Sequence, residues 1–303
     1  MNVLKVASTR TAFLEEEIRH LEKIGVRTHV VYAFDNISKR RGLLDRASVI
    51  KSIYKKVNDF DIVHANDAYM APIALAQNKA PAVTSFIGNE ANGRFFSYIC
   101  PAIKHLSDRS ICVNNKIDKM LGGDNDVIPY GVDTNKFEPM PKSKACRKIG
   151  WNSSIKHVLF PYDPDRTIKR PELAQKVVRE VNRKCNTVVK LQTVYGVPLH
   201  EVPIYMNAAD LLLITSSRET GPVTVKEALA CNTPVVSTNV GDVSEVLSGV
   251  QCSAIADNYT DMIASSLELI KANNHCNSRP RACRWEWDNL AQKIKETYKK
   301  VLE

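Results

Sequence analysis

Two glutamates, Glu219 and Glu227, stand eight positions apart in RETGPVTVKEALACNTPVVST, the stretch of residues 218–238. A buried-strand pattern, ADLLLITSS, precedes them. The Gly-Pro step between them favours the start of a helix, because proline has no backbone N–H and the first turn of a helix does not use one. A helix N-terminus presents free backbone N–H groups and the positive end of the helix dipole. We therefore predict a phosphate site at residues 221–224, where this helix begins.

The two carboxylates would flank that phosphate site. Glu227 lies far enough into the predicted helix to accept hydrogen bonds from a ribose diol, and Glu219 lies on the loop, where sugar hydroxyls could meet it. One stretch could thus bind all three parts of a nucleotide sugar. From the spacing alone, two unrelated glutamates are the simpler interpretation because such pairs are common, so the surrounding motifs have to decide.

The elements that would position these residues alternate between short strands and amphipathic helices. Strand-like runs rich in Val and Ile occur in two series, NVLKVAS, THVVYAF, DIVHAND, PAVTSFIG, RSICVNN and DVIPYG, then HVLFPYD, VVKLQTV, LLLITSS and PVVSTNV. This alternation predicts α/β domains with parallel sheets and helices on both faces. Ligands of such sheets bind beyond the carboxyl ends of the strands.

The chain is long enough for two domains, since it has 303 residues. A polar stretch with two prolines separates the two series and predicts a hinge near residues 140–156. We expect a first domain at 1–148, a second domain at 149–284 and a long amphipathic helix at 285–303. Two such domains facing each other would form a cleft, the usual place for a substrate.

The net charge of +9 includes a basic segment, residues 38–57, with the sequence SKRRGLLDRASVIKSIYKKV. A solvated face on a surface helix is the first interpretation of this segment. Attraction to an anionic membrane surface or acceptor is the second. A nucleic-acid partner is disfavoured, because no zinc-finger, RNP or basic-zipper pattern accompanies the charge.

The eight cysteines contain no C-x-x-C pair, and several lie in apolar runs. They predict free, mostly buried thiols rather than a disulfide framework or a zinc site. No signal-peptide pattern or membrane-spanning run is found. We therefore expect a cytoplasmic protein. In the second interpretation of the basic segment, the protein would also make peripheral contact with the inner membrane face.

Several ordered motifs together resemble the retaining glycosyltransferases of family 4, also called group 1. Glu219 and Glu227 are similar to the family's E-x7-E signature. The stretch NTPVVSTNVGDVSE is similar to the family's G-x-P-V-V strand and the G-G-x-x-E turn that follows it. DIVHANDAYMAPIALA, DVIPYGVDTNKFEP and the closing RWEWDNLAQKIKETYKKVL are similar to further motifs of the family. The resemblance covers nearly the whole chain and implies the GT-B fold, two Rossmann-like domains facing a central cleft, with the last helix crossing back to the first domain.

The resemblance implies a metal-independent transfer of a hexose or N-acetylhexosamine from a UDP- or GDP-sugar to a hydroxyl of a glycan, lipid or small molecule. No cofactor is expected besides this donor, and DPD at 163–165 is interpreted as a turn, not a metal ligand. The catalytic residues implied are Glu219, Lys169 and Arg166, of which Arg166 replaces the usual Gly-Arg cation. The donor-binding residues implied are Glu227, Gly221, Pro222, Val223, Thr224 and Ser217.

The first half departs from the family pattern. Ile87 stands where a His usually contacts the transferred sugar, and Thr9-Arg10-Thr11 replaces a Gly-Gly loop. The acceptor-side or sugar-side candidates are Arg10, His64, Asp67, Gly88, Asn89 and Glu90.

Those departures keep two alternatives open, a binding subunit that needs a partner chain and a sugar-nucleotide epimerase. A nicotinamide dehydrogenase is disfavoured, because no G-x-G-x-x-G follows the first strand.

Overall fold

The computed structural model describes residues 1–33, 51, 53, 55–88, 94–272 and 276–303. The chain divides into two compact units. Unit 1 comprises Met1–Tyr130 and Trp287–Glu303, and unit 2 comprises Gly131–Glu286. Most of the basic segment lies outside the described residues, as do Asn89 and Glu90.

The first domain was expected to end at residue 148, whereas unit 2 already begins at Gly131. The polar, proline-containing stretch resembles a linker by composition, yet it carries helix α5, Lys142–Ile149. Ala145 and Cys146 of this helix are fully buried against Ala208 of the same unit. Apolar packing therefore attaches the stretch to the second unit.

Unit 1 is built on a six-stranded sheet whose assigned strand pairs are parallel, in the order β2-β1-β3-β4-β5-β6. Its strands are β1 Asn2–Ala7, β2 Arg27–Tyr32, β3 Ile62–Ala65, β4 Ala82–Phe86, β5 Arg109–Cys112 and β6 Asp126–Val127. Its helices include α1 Ala12–Lys23, α2 Ala71–Leu75, α3 Arg94–Leu106, α4 Asn115–Met120 and the last helix, α12 Trp287–Leu302.

Helix α12 belongs to unit 1 because its apolar stripe is buried there. Trp287, Leu290, Ile294 and Tyr298 recur at helical spacing, and each is at most 3% exposed. The helix packs beside α1, and Tyr298 reaches the sheet, where its hydroxyl lies 2.6 Å from His64 Nδ1. Residues 287–303 therefore complete the core of a unit that begins at Met1.

Unit 2 is built on a five-stranded parallel sheet in the order β11-β10-β9-β7-β8. Its strands are β7 Lys156–Phe160, β8 Val189–Thr193, β9 Leu211–Ile214, β10 Val235–Thr238 and β11 Ser253–Ala256. Its other helices are α6 Pro171–Lys184, α7 Val202–Ala208, α8 Val223–Ala230, α9 Val243–Leu247, α10 Tyr259–Ala272 and α11 Arg279–Ala282. The LLLI sequence of β9 is fully buried, as expected for a strand covered on both faces.

The prediction of free thiols is wrong for one pair of cysteines. Cys252 and Cys276 form a disulfide with their Cα atoms 5.5 Å apart. The other six cysteines form no disulfide, and four of them, Cys100, Cys112, Cys146 and Cys231, are buried. Sequence spacing could not pair Cys252 with Cys276, because the fold alone brings β11 beside the chain after α10.

Within the described part of the chain, no helix combines the length and the apolar character that crossing a membrane requires.

Candidate functional site

The predicted site residues of unit 2 lie at the carboxyl ends of neighbouring parallel strands. The loop after β7 carries Tyr162, Arg166 and Lys169, and the loop after β9 carries residues 215–222. Strand β10 lies on the other side of β9, and the turn at Gly241 follows it. Parallel strands end at one edge of a sheet, so three separate sequence segments meet there.

Lys169 forms an ion pair with Glu219 at the centre of this edge. Lys169 is 5% exposed and closes a short 3-10 helix, Thr167–Lys169. Ser216 Oγ donates to the same carboxylate oxygen, Glu219 Oε1, at 2.7 Å. Burial lowers the pKa of Lys169, and the hydrogen bond and negative charge of Glu219 oppose that change. The sequence-predicted cation and carboxylate are thus brought together.

The aromatic ring of Tyr162 lies beneath the Lys169–Glu219 ion pair. The sequence patterns did not predict Tyr162 as a site residue. The ammonium of Lys169 lies 3.9 Å from the centroid of the Tyr162 ring. The Tyr162 hydroxyl lies 3.3 Å from Thr224 Oγ1, in the first turn of α8. Burial and the charge of Glu219 raise the pKa of Tyr162, so the phenol stays protonated.

The two loops are tied to each other through their backbones. Ser217 N donates to the carbonyl of Ile168 at 2.9 Å, and Thr215 Oγ1 donates to the carbonyl of Lys169 at 2.7 Å. Arg170 has a left-handed backbone and donates from Nη2 to the carbonyl of Ser216 at 3.2 Å. These bonds fix the backbone on both sides of the ion pair. Arg170 was also missed, since an arginine clamp on carbonyl groups has no sequence signature.

Helix α8 begins at Val223, with Pro222 as its capping residue, so the predicted helix start is confirmed to within one position. Gly221 precedes the cap, and Thr224 lies in the first turn. Glu227 is partly exposed on the face shared with Val223 and Thr224, because residues three and four apart are neighbours on a helix. The charge of Glu227 adds to burial in raising the pKa of Cys231, one turn farther along.

A buried ion pair supports the start of α8 from below. Lys226 Nζ lies 3.0 Å from Asp242 Oδ2, and their side chains are 0% and 6% exposed. Asp242 also packs against Gly221, where an added β-carbon would lie 3.1 Å from its Oδ2 atom. Lys226 is a charged residue on the inward face of a helix, an exception to the apolar pattern that sequence reasoning passed over.

Arg166 lies at the rim of the site rather than inside it. Its side chain is exposed, and its charge contributes to lowering the pKa of Lys169. Asp163 Oδ1 accepts from the backbone N of Asp165 at 2.9 Å, and the Asp163 carbonyl accepts from Arg166 N at 3.2 Å. The DPD sequence therefore forms the turn that was predicted for it.

In unit 1, His64 is an internal residue and does not lie open to an acceptor. It is 1% exposed, its Nε2 lies 2.8 Å from Ser85 Oγ, and its Nδ1 lies 3.0 Å from the ammonium of Lys5. Burial and the charge of Lys5 hold the pKa of His64 well below its usual value. Lys5 also forms an ion pair with Glu17 at 2.5 Å. The carboxylate of Glu17 thus balances the positive charge of Lys5, which is fully buried.

Asp67 is likewise occupied within unit 1. Its Oδ2 accepts from Ser8 Oγ at 2.6 Å, its Oδ1 accepts from Met70 N at 3.1 Å, and the residue is 6% exposed. Asp67 thus orders the turn after β3, a structural role that its position at a strand end concealed.

The other first-unit candidates differ in exposure. Arg10 is exposed, with its Nε atom 3.6 Å from Glu15 and its guanidinium 5.3 Å from the Tyr32 ring centroid. Gly88 is buried at a positive φ of 90°, and Ile87 packs against the apolar core of unit 1.

Comparison of sequences confirms the resemblance to the group 1 glycosyltransferases. Residues 174–284 match the profile of the family described as "Glycosyl transferases group 1". A Bacillus subtilis (strain 168) protein named as a candidate teichuronic acid biosynthesis glycosyltransferase, TuaC, is 23% identical over 73% of this chain and 64% of its own length. A D-inositol 3-phosphate glycosyltransferase of Segniliparus rotundus is 27% identical over 58% of this chain and 47% of its own length. The chain spans less than two thirds of either relative.

Comparison of structures confirms the GT-B fold. Sucrose-phosphate synthase of Thermosynechococcus elongatus superposes with a TM-score of 0.78 at 12% identity, covering 99% of both chains. Anabaena Alr3699/HepE, solved in complex with UDP and glucose, superposes with a TM-score of 0.74 at 16% identity, covering 99% of this chain and 100% of its own. At these identities, the likeness establishes the fold alone.

Proposed function

We propose that this protein is a retaining, metal-independent glycosyltransferase that moves a hexose or N-acetylhexosamine from a UDP- or GDP-sugar to a hydroxyl acceptor. The observation that carries the proposal is the meeting of Lys169, Glu219 and the start of α8 at one edge of a parallel sheet. The match of residues 174–284 to the group 1 family supports it. UDP is the first nucleotide to test as the donor carrier, since HepE was solved with UDP.

Each part of the donor has a partner in this proposal. The backbone N–H groups of Gly221, Val223 and Thr224 bind the diphosphate, helped by the positive end of the α8 dipole. Lys169, with Arg166 at the rim, stabilises the negative charge that develops as the nucleoside diphosphate leaves. Glu219 orients the transferred sugar, and Glu227 accepts hydrogen bonds from the ribose.

The transfer itself uses no protein nucleophile. The acceptor hydroxyl attacks the anomeric carbon on the face from which the diphosphate departs, and the leaving phosphate oxygen takes the hydroxyl proton. The new glycosidic bond forms as the bond to the diphosphate breaks, so the configuration is retained. The acceptor is a glycan, a lipid or a small molecule, bound by unit 1.

The basic segment, residues 38–57, suggests where in the cell the protein would act. Contact of residues 38–57 with an anionic membrane would hold a cytoplasmic enzyme at the inner membrane face. Liposomes with anionic lipid should then retain the protein at low salt and release it as salt rises. Failure to bind at low salt would remove the membrane contact without affecting the donor site.

Titration with nucleotides tests the donor site directly. UDP, GDP, ADP and their sugar conjugates are added to the purified chain while its thermal unfolding is followed, since a ligand of the folded state raises stability by mass action. A shift with one nucleotide that is lost in Glu227→Ala, and kept in the control Glu268→Ala on the exposed face of α10, supports the proposal. A shift with none of them contradicts it.

A binding subunit that needs a partner chain is the second proposal, favoured by the packing of Ile87 into the core at a position where the family pattern has a sugar-contacting His. Donor hydrolysis by the purified chain alone would exclude this alternative. A sugar-nucleotide epimerase would instead convert the donor with no acceptor present. Product analysis with and without acceptor separates the two enzyme classes.

A further inference from the structure

Tyr162 contacts both charged and helical parts of the candidate donor site. It is 9% exposed, and its ring lies under the Lys169 ammonium at a distance of 3.9 Å. Its hydroxyl reaches Thr224 of α8 at 3.3 Å. The ring is itself supported edge-on by Phe160, the last residue of β7, with centroids 5.5 Å apart. Tyr162 therefore connects the loop after β7 to the first turn of α8.

The position of Lys169 depends on what surrounds its ammonium group. On one side the ammonium meets the Glu219 carboxylate, and on another it meets the face of the Tyr162 ring. An anionic ligand that approaches Lys169 competes with Glu219 for the same charge. The ring does not compete, because its attraction to the ammonium comes from the quadrupole of its face and persists when Glu219 turns to another partner.

We infer that Tyr162 is a positioning residue that holds Lys169 at the place where the donor diphosphate binds. The inference rests on the proposed function and extends it to the aromatic ring that lies against the Lys169 ammonium. A lysine has a long, flexible side chain, so its charge is useful at a fixed point only if something restricts it. The Tyr162 ring supplies that restriction from beneath.

Binding measurements on matched variants test this role. Dissociation constants for UDP, and for GDP and ADP if UDP is silent, are measured by calorimetry for the wild type, Tyr162→Phe, Tyr162→Leu, Lys169→Ala and the double variant Tyr162→Leu with Lys169→Ala. Tyr162→Phe keeps the ring and should bind within about threefold of wild type. Tyr162→Leu should bind about tenfold more weakly, the range that a desolvated cation–π contact supports. The double variant should bind no more weakly than Lys169→Ala alone, because Tyr162 acts through Lys169.

Phe137→Leu is the control for general damage, since Phe137 is a buried ring of unit 2. Its UDP affinity should stay at the wild-type value even if its unfolding temperature falls. Wild-type affinity in Tyr162→Leu overturns the inference, as does an additive loss in the double variant. If Tyr162→Leu does not fold, weak binding by the conservative Tyr162→Phe overturns it instead. Absence of binding by the wild type removes the donor site itself, and the inference with it.

Discussion

Gly241 lies so close to Thr220 that a β-carbon at position 241 would come within 2.5 Å of the Thr220 carbonyl oxygen. Gly241 also has a positive φ of 59°, a backbone angle that residues with a side chain rarely adopt. The turn after β10 therefore supports the backbone that leads from Glu219 to the start of α8. The glycine is required by two independent features, its φ angle and its contact.

Gly241→Ala should destabilise the protein and weaken the donor site. The positive φ costs about 1 kcal/mol, and the clash adds about 1–3 kcal/mol unless the loop moves. Gly249→Ala is the matched control, because Gly249 also has a positive φ but has nothing within 4 Å of an added β-carbon. Chemical unfolding and nucleotide affinity check both variants. Equal affinity losses in the two would show that the contact with Thr220 is unimportant.

Lys226→Met should cost about 3–5 kcal/mol of unfolding free energy, because it leaves the Asp242 carboxylate buried without its counter-charge. Arg183→Ala breaks an exposed ion pair with Glu180 and should change stability by less than about 1 kcal/mol. Urea unfolding of both variants measures the difference. A loss as small in Lys226→Met as in Arg183→Ala contradicts a supporting role for the buried pair.

Lys169→Met should lower turnover by about 10²–10³-fold, the effect expected when a fixed stabiliser of transition-state charge is removed. The loss of its partner also leaves Glu219 without an ion pair in a partly buried place. Lys190→Met, on the exposed side of β8, serves as the comparison and should keep wild-type turnover. Initial rates with the donor identified by titration provide the measurement. Unchanged turnover in Lys169→Met would falsify its catalytic role.

Acid should weaken unit 1 through His64. The unfolded chain takes a proton near the ordinary pKa of 6.5, whereas burial and Lys5 hold the folded pKa of His64 well below it. The unfolded state thus binds more protons as pH falls below 6.5, and the free energy of unfolding should drop by up to about 1.4 kcal/mol per pH unit.

Comparison with His64→Gln isolates this effect. The variant should be less stable than wild type at pH 7, and the difference should shrink as the pH falls from about 6.5 towards 5. His200→Gln, at an exposed position, should follow the wild-type pH dependence. A difference between wild type and His64→Gln that stays constant with pH would argue against this linkage.

The disulfide predicts a definite thiol count. Of the eight cysteines, six should react with a thiol reagent after unfolding without reductant, and all eight after reduction. Reduction should also lower the free energy of unfolding by about 3 kcal/mol, since the bridge closes a loop of moderate length. Reaction of eight thiols without reductant would show that Cys252 and Cys276 are free in solution.

Sequence patterns predicted the strands well because each depends on a local run of β-branched and apolar residues. All ten predicted runs contain strands, and β11 was missed because SAIA has a single β-branched residue and is mostly only partly buried. The start of α8 was predictable for a similar reason, since Gly221 and Pro222 act locally. The boundary at Gly131 was not, because it depends on the packing of Ala145 against α7.

The candidate site was predictable where a motif fixes the spacing and unpredictable where only contacts decide. Glu219 and Lys169 were found because they belong to recognisable patterns, and their ion pair joins residues fifty positions apart. Tyr162 and Asp242 were missed, since each is defined by what it touches across the fold. His64 and Asp67 were placed on the acceptor side because a strand end looks the same in sequence whether its polar side chains face inward or outward.

Unit 1 contains both the first residues of the chain and residues 287–303, and this division has a consequence for biosynthesis. During translation, the six-stranded sheet emerges long before α12, so the place that Tyr298 will fill beside His64 stays open. Unit 2 is continuous and can complete its core earlier. The sheet of unit 1 is therefore synthesised before unit 2, although its core is completed after that of unit 2, and a stalled nascent chain would keep the apolar surface of unit 1 within reach of chaperones.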